Sequence, residues 1–271
     1  MTFAAEAAPT DLGLPCWEGY LELIAGLPPD SFPGPDVLGR LLPPGAASGN
    51  GLPIRFVPAS LLPGVQYEKH IYETGEVSTR ENSWHDFFNA LAWCRLPKLK
   101  AAMNTRHYEE LDSGKSGRRG RLRDALTLLD ESGVIVVGSN PDVLQALVSR
   151  DWNAAFVTQR AAWRSELQVL VCGHAILEKF LNPYKSITAH ALILHATDLV
   201  SLEQLDIQLG SSLRNHQLFD SPAGLSPLPL MGIPGWSSVG EQNEDFYADR
   251  DVFRPAPASM TPAPIYRVSG H

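Results

Sequence analysis

Two histidines stand where their neighbours admit acid–base or metal chemistry. His174 is followed four residues later by Glu178, in Gly173-His-Ala-Ile-Leu-Glu-Lys179. On a helix, residues four apart stack on one face, so the imidazole and carboxylate can share a proton or a divalent metal. The same pair also has a plainer explanation, a surface i, i+4 contact of a few tenths of a kcal/mol. His85 is the second, in Ser83-Trp-His-Asp-Phe-Phe-Asn89. There His85, Asp86 and Asn89 share one arc of a helix beside an aromatic stripe, although three polar side chains on one face are common on solvated helices. Asp124 is a further candidate acid, placed directly after Arg123 at the entry of an apolar stretch. Lys115, Arg118, Arg119 and Arg121, joined by Arg123, are interleaved with glycine. That composition suits an anion pocket, because glycines let backbone amides approach a phosphate or carboxylate that the arginines clamp. Gly114-Lys115-Ser116 is not a nucleotide-binding loop, since Glu109 stands where that motif needs its first glycine.

The catalytic set expected from these residues is His85, Asp86, Asp124, His174 and Glu178. The enzyme reading requires His85, Asp86, His174 and Glu178 to line one cleft. Mixed histidine and carboxylate donors suit zinc, manganese or iron better than calcium. The sequence leaves open whether a divalent metal is held.

The elements that must position these groups follow from local patterns. Ser83 and Asp86 have the spacing of a capping box, so a helix runs from Trp84 to about Leu96, with Trp84, Phe87, Phe88 and Leu91 as its buried stripe. Pro97 opens a second helix to Leu111, on which Leu99, Met103, His107 and Leu111 share a stripe. His107 therefore reads as a hydrogen-bonded histidine at a core edge rather than a ligand. Val65 to Tyr72 alternates and reads as a strand. Arg123 to Val137 reads as a hairpin turning at Asp130-Glu-Ser-Gly133, with Asp130 an ordinary turn residue. Ser139 or Asn140 caps a helix to Val148, and Trp152 to Leu167 is another helix. Gln168 to Cys172 is a buried strand that hands over at Gly173 to a helix from Ala175 to Leu181. Ala189 to Ala196 is a strand and Ser201 to Leu218 a helix. A histidine between a strand's end and a helix's first turn is where open α/β sheets place ligand chemistry.

Composition narrows the function classes. The chain has 271 residues, 44% hydrophobic and 19% charged, as in an ordinary globular protein. Its formal net charge of −8 argues against general nucleic-acid binding, which needs phosphate neutralisation. No apolar run approaches a membrane span, and the N-terminus lacks the basic and apolar regions of a secretory signal, so a cytoplasmic protein is expected. Cys16, Cys94 and Cys172 are widely spaced, which fits reduced thiols.

Several motifs recur as an ordered set: Trp84-His-Asp-x-x-Asn-Ala-Leu-x-Trp93, Asn104-x-x-His107, Arg123-Asp-Ala-x-Thr-Leu-x-Asp-Glu-x-Gly133, Gly173-His-Ala-x-x-Glu-Lys179, Pro234-Gly-Trp236 and Phe253-Arg-Pro255. With them the chain resembles, from about Trp17 to Pro255, the family catalogued as domain of unknown function 3025. The resemblance implies a bacterial, single-domain protein and brings no reaction, substrate or cofactor with it.

The expected architecture is α+β: a small mixed sheet packed by several helices, with Pro-rich N- and C-terminal arms. Residues 14–256 form one globular domain, with frayed ends at 1–13 and 257–271. Two function classes remain. One is a hydrolase-like enzyme with a His/carboxylate site, metal-assisted or not, acting on a small anionic substrate. The other is a non-catalytic binding module whose polar clusters lock the core.

Overall fold

The structure is a computed structural model and describes residues 12–27, 32–62, 64, 66–112, 120–198, 200–237 and 239–269. After a 3-10 turn at Pro15–Trp17 come two short helices, α1 (Leu21–Ala25) and α2 (Pro35–Gly39). Strands β1 (Arg55–Pro58) and β2 (Glu76–Thr79) pair in parallel, joined through helix α3 (Tyr67–Thr74). Three helices follow in succession, α4 (Trp84–Arg95), α5 (Pro97–Asp112) and α6 (Arg121–Ser132). Strand β3 (Gly133–Gly138) leads to α7 (Pro141–Ser149), a π-helical turn at Ala154–Thr158 and α8 (Ala162–Ser165). Strand β4 (Leu167–Val171), α9 (His174–Lys179), β5 (Thr188–His195) and α10 (Leu202–Arg214) complete the central part. The last stretch supplies β6 (Ser226–Pro229), α11 (Glu244–Ala248) and β7 (Tyr266–Arg267).

The main sheet is mixed, in the order β4-β3-β5-β6, with β7 beside β5. Strand β3 runs parallel to β5 and antiparallel to β4. Every residue of β3 is buried, so both of its faces are covered. The architecture is thus α+β, a small sheet wrapped by helices. Aromatic contacts tie the helices together: Trp17 stacks on Phe88, and Trp84 on the same ring, with centroids 5.6 and 5.7 Å apart. Cys16, Cys94 and Cys172 are free and buried. Among the described residues, no helix is long and apolar enough to cross a membrane.

Two expected strands are helices. Where Val65 to Tyr72 was expected to be a strand, Tyr67–Thr74 is helix α3, with Ile71 its buried residue; Val65 lies outside the described residues. The expected hairpin from Arg123 is helix α6 running without a loop into β3. Leu122, Ala125, Leu126 and Leu129 are its buried residues. They follow the i, i+3, i+4, i+7 rule of a helix, which outweighs the turn-like Asp-Glu-Ser-Gly at its end. Asp124 therefore lies on a helix, and Asp130 in that helix's last turn. Beyond residue 257, where a loose end was expected, Tyr266 and Arg267 pair with Leu194 and His195 of β5.

Candidate functional site

Helix α4 begins where Ser83 accepts a hydrogen bond from the Asp86 backbone N–H at 3.3 Å. The expected capping box is only half made, because the Asp86 side chain turns to Arg80. It accepts from the Arg80 backbone N–H at 2.6 Å and from Nε and Nη2 at 2.9 and 2.7 Å. Burial raises the Asp86 carboxyl, but these bonds and the Arg80 charge more than offset that and hold it below the usual range.

His85 is thereby aimed at α9. Its Nδ1 lies 3.2 Å from Glu178 Oε2, and its Nε2 lies 2.9 Å from His174 Nε2. The two rings meet nearly at right angles, at 85°. On its other edge, His174 Nδ1 faces Asp130 Oδ2 at 4.0 Å, a charge contact rather than a hydrogen bond. His174 is buried, and that burial lowers its pKa to about 4, so the ring is neutral at physiological pH.

Beneath the histidines runs a chain of hydrogen bonds whose direction is fixed. Lys100 Nζ donates to Asp130 Oδ1 and, at 2.9 Å, to Asn89 Oδ1. An ammonium only donates, so the facing atom of Asn89 is its carbonyl oxygen and the other is its NH2. That NH2 donates to the Tyr67 hydroxyl at 2.7 Å. Tyr67 spends a lone pair on this bond and keeps its hydroxyl hydrogen for another acceptor. Burial of the hydroxyl raises the Tyr67 pKa well above the ordinary value, so it stays a phenol. Burial pushes the Asp130 carboxyl up too, but the Lys100 ammonium that donates to it outweighs this, and Asp130 stays ionised.

These groups surround one cavity of about 400 Å3, lined by α3, α4, α5, α6, β2 and α9. His85, Asp86 and His174 all line it. Glu178, expected to line the same cleft, is not in its wall and is connected to it only by its contact with His85 Nδ1. Glu131 of α6 lines it as well, and one donor atom from each of His85, Glu131 and His174 lies within 4.8 Å of the others. A larger cleft of about 540 Å3 opens beside β4 between Trp163, Leu205 and Trp236, but its wall holds no histidine and no such cluster.

Of the expected residues, His85, His174 and Glu178 meet and Asp86 adjoins them, with both of its oxygens committed to Arg80. Asp124 is not in the cavity wall; it lies two turns before Glu131 on α6, about 10 Å along the axis. Arg121 opens α6 and is exposed. Lys115, Arg118 and Arg119 lie outside the described residues. Asp130, Glu131, Lys100 and Tyr67 were not singled out as site residues from sequence. The helical stripe of α6 carries the signal for the first two, since Thr127 and Glu131 lie on the arc opposite its apolar residues and Asp130 flanks that stripe on the same side. His107, expected to be hydrogen-bonded at a core edge, instead lines the cavity and has no hydrogen-bond partner among the described residues.

Among known proteins, a family model described as "Protein of unknown function (DUF3025)" matches residues 54–257, a span that includes every residue of this cavity. No curated protein and no solved structure matches the chain.

Proposed function

The chain belongs to that family, whose description names no reaction, and from its own residues we propose that it is a hydrolase-like enzyme acting on a small anionic substrate, with a divalent metal ion held by His85, His174 and Glu131. The carrying observation is the pair of imidazole Nε2 atoms facing each other at 2.9 Å. Each ring turns its Nδ1 edge to a carboxylate, Glu178 for His85 and Asp130 for His174. Glu178 draws the His85 ring proton to Nδ1 and leaves its Nε2 as a lone pair, whereas Asp130 at 4.0 Å makes no hydrogen bond that fixes the His174 tautomer. Without a metal the His174 Nε2–H donates to that lone pair; with His174 protonated on Nδ1 instead, both Nε2 atoms can bind one cation. Glu131 adds an anionic third donor, and a three-ligand set leaves positions for water and substrate.

A metal bound there supplies a water acidic enough, with a pKa near 7, to give hydroxide at neutral pH. The chain's own groups have separate tasks. Glu178 orients His85. Lys100 keeps Asp130 ionised beneath His174. Tyr67 offers its hydroxyl hydrogen to an oxygen that gains negative charge during the reaction.

The test is metal analysis of the protein purified without chelator, with titration of zinc, manganese and ferrous ions into the chelator-treated protein. We expect one ion per chain, and a loss of affinity of at least about tenfold in His85→Ala and in His174→Ala, in folded variants. A parent protein that binds none of the three ions, or variants that bind like the parent, would overturn the reading. Metal binding without hydrolysis of any ester, amide or phosphoester in a broad panel would favour the non-catalytic binding module.

A further inference from the structure

We infer that the end of this cavity farthest from the histidine pair is an anion subsite built on Arg123 and His107, and that it takes a singly charged carboxylate on the ligand. The inference rests on the proposed reaction site for what the ligand's other end reaches.

Helix α6 presents Arg123, Thr127 and Glu131 to the cavity at four-residue intervals. Eight residues of helix separate Arg123 from Glu131 by about 12 Å between their Cα atoms, a distance the arginine side chain partly spans. The subsite is thus several bonds away from the His85/His174 pair.

Arg123 is the unmatched charge of this wall. Arg80 is engaged by Asp86, and Lys100, below the wall, by Asp130. Among the described residues, Arg123 has no carboxylate within ion-pair distance, and its Nε is buried with no hydrogen-bond acceptor. A guanidinium that lines a cavity without a counter-charge gains charge-assisted bonds from an incoming carboxylate.

His107 is an independent second indication. It is 7% exposed, lines the same cavity and has no hydrogen-bond partner among the described residues. Burial lowers its pKa, so the ring is neutral and offers one N–H and one lone pair. Buried polar side chains are almost always satisfied, so an idle one facing a cavity marks where a ligand's polar end belongs.

The charge balance selects the ligand. One unmatched guanidinium suits one negative charge. Glu68 lines the same space, its carboxylate fixed by Asn104 Nδ2 at 2.8 Å, and opposes a second negative charge. A carboxylate fits this balance better than a dianionic phosphate.

The probes are linear dicarboxylates from malonate to adipate, butyrate and inorganic phosphate, titrated calorimetrically into zinc-loaded and chelator-treated full-length protein. In loaded protein we expect affinity to peak at one dicarboxylate length and to fall at least tenfold in Arg123→Gln, which keeps the parent's zinc affinity. Arg123→Lys, which retains the charge but not the fork, and His107→Gln should lie in between; both report if Arg123→Gln does not fold. In chelator-treated protein, butyrate binding should also depend on Arg123. Dicarboxylate affinities unchanged in folded Arg123→Gln would overturn the inference. So would phosphate binding more tightly than every carboxylate through Arg123. If zinc fails to bind, the proposed reaction site falls, while Arg123-dependent butyrate binding would still support the subsite.

Discussion

At the scale of single residues, the placement of one proton matters most. Glu178 is itself 43% exposed, yet it faces His85 Nδ1 and so leaves Nε2 free to turn towards His174. A carboxylate in this position raises the basicity of the imidazole it contacts, and losing such a partner typically weakens metal binding by 10–100-fold. Glu178→Gln keeps an acceptor for the ring N–H but removes the charge. We expect its zinc affinity, measured by competition with a chromogenic chelator, to fall about tenfold. Its melting temperature should change by no more than a degree or two, because a half-exposed carboxylate contributes little to folding. Parental affinity in a protein that has lost stability would contradict the positioning role. Reading such roles from sequence works where the partner is local. His174 and Glu178 are one helical turn apart, so their pairing on one face is legible. The meeting of His85 with His174, 89 residues later, is not, because no local rule ties α4 to α9. Lys100 is less legible still: a lysine on a polar helix reads as solvated until Asp130 and Asn89 are seen closing around it.

At the scale of elements, the site depends on how α6, β3 and α9 converge. The backbone N–H groups of Cys172 and Gly173 both donate to Gly133 O, at 3.1 and 2.9 Å. A Cβ on Gly173 would lie 2.3 Å from Gly133 N and 2.7 Å from Glu131 O, closer than side chains come to backbone. The glycine is needed for this close approach, which sets His174 above the last turn of α6 with its Asp130 and Glu131. Gly173→Ala must therefore push α9 away from that turn. We expect it to destabilise the protein by more than about 2 kcal/mol in chemical denaturation, and the surviving folded protein to lose metal affinity. Parental stability together with parental metal affinity would show that the approach has slack. The same elements show what sequence patterns reveal. The cap at Ser83 is a hydrogen bond within a single turn and is made as expected; of Ser139 and Asn140 it is Asn140 that caps α7, and Ser201 also proves to cap α10. The apolar runs of β4 and β5 are equally legible. Helices α3 and α6 are not, for different reasons. In α3 the alternation of eight residues also fits a helix, on which Tyr67 and Ile71 are one turn apart. In α6, Asp130-Glu-Ser-Gly133 has turn chemistry, but those residues end a helix that enters β3 directly. Taken as a turn, that junction conceals that Asp130 and Glu131 belong to the helix that carries Thr127 to the cavity.

At the scale of the whole molecule, the N- and C-terminal halves are joined where α10 packs along α5. Helix α5 begins at Pro97, and its first free N–H groups need acceptors. Asp206, in the middle of α10, supplies them, accepting from Lys98 N at 2.9 Å and Leu99 N at 2.8 Å. It is 4% exposed, and burial pushes its carboxyl up to about 6, because the two N–H donors only partly counter the loss of solvent. A carboxyl whose pKa is higher in the folded chain than in the unfolded one binds its proton more tightly when folded. Its contribution is then fully present below about pH 4 and is lost as the pH rises towards 6. His174 works in the opposite direction. Its folded pKa of about 4 lies below the ordinary histidine value, so its contribution is present above about pH 6.5 and is lost as the pH falls towards 4. Over this shared window the two terms oppose each other and flatten the parent's stability profile. Asp206→Asn keeps one acceptor for the first turn of α5 but cannot ionise, so it removes one term alone. We expect the variant to be less stable than the parent at pH 4, having lost one of the two acceptor bonds. The difference should shrink as the pH rises to 7, by on the order of 1–3 kcal/mol, because only the parent then carries a buried charge. Urea denaturation of both proteins at several pH values in that range measures this directly. A difference independent of pH would mean that Asp206 ionises as readily in the folded chain as in the unfolded one. Its role at the junction would then be that of a charged cap, with the two N–H donors fully compensating its burial.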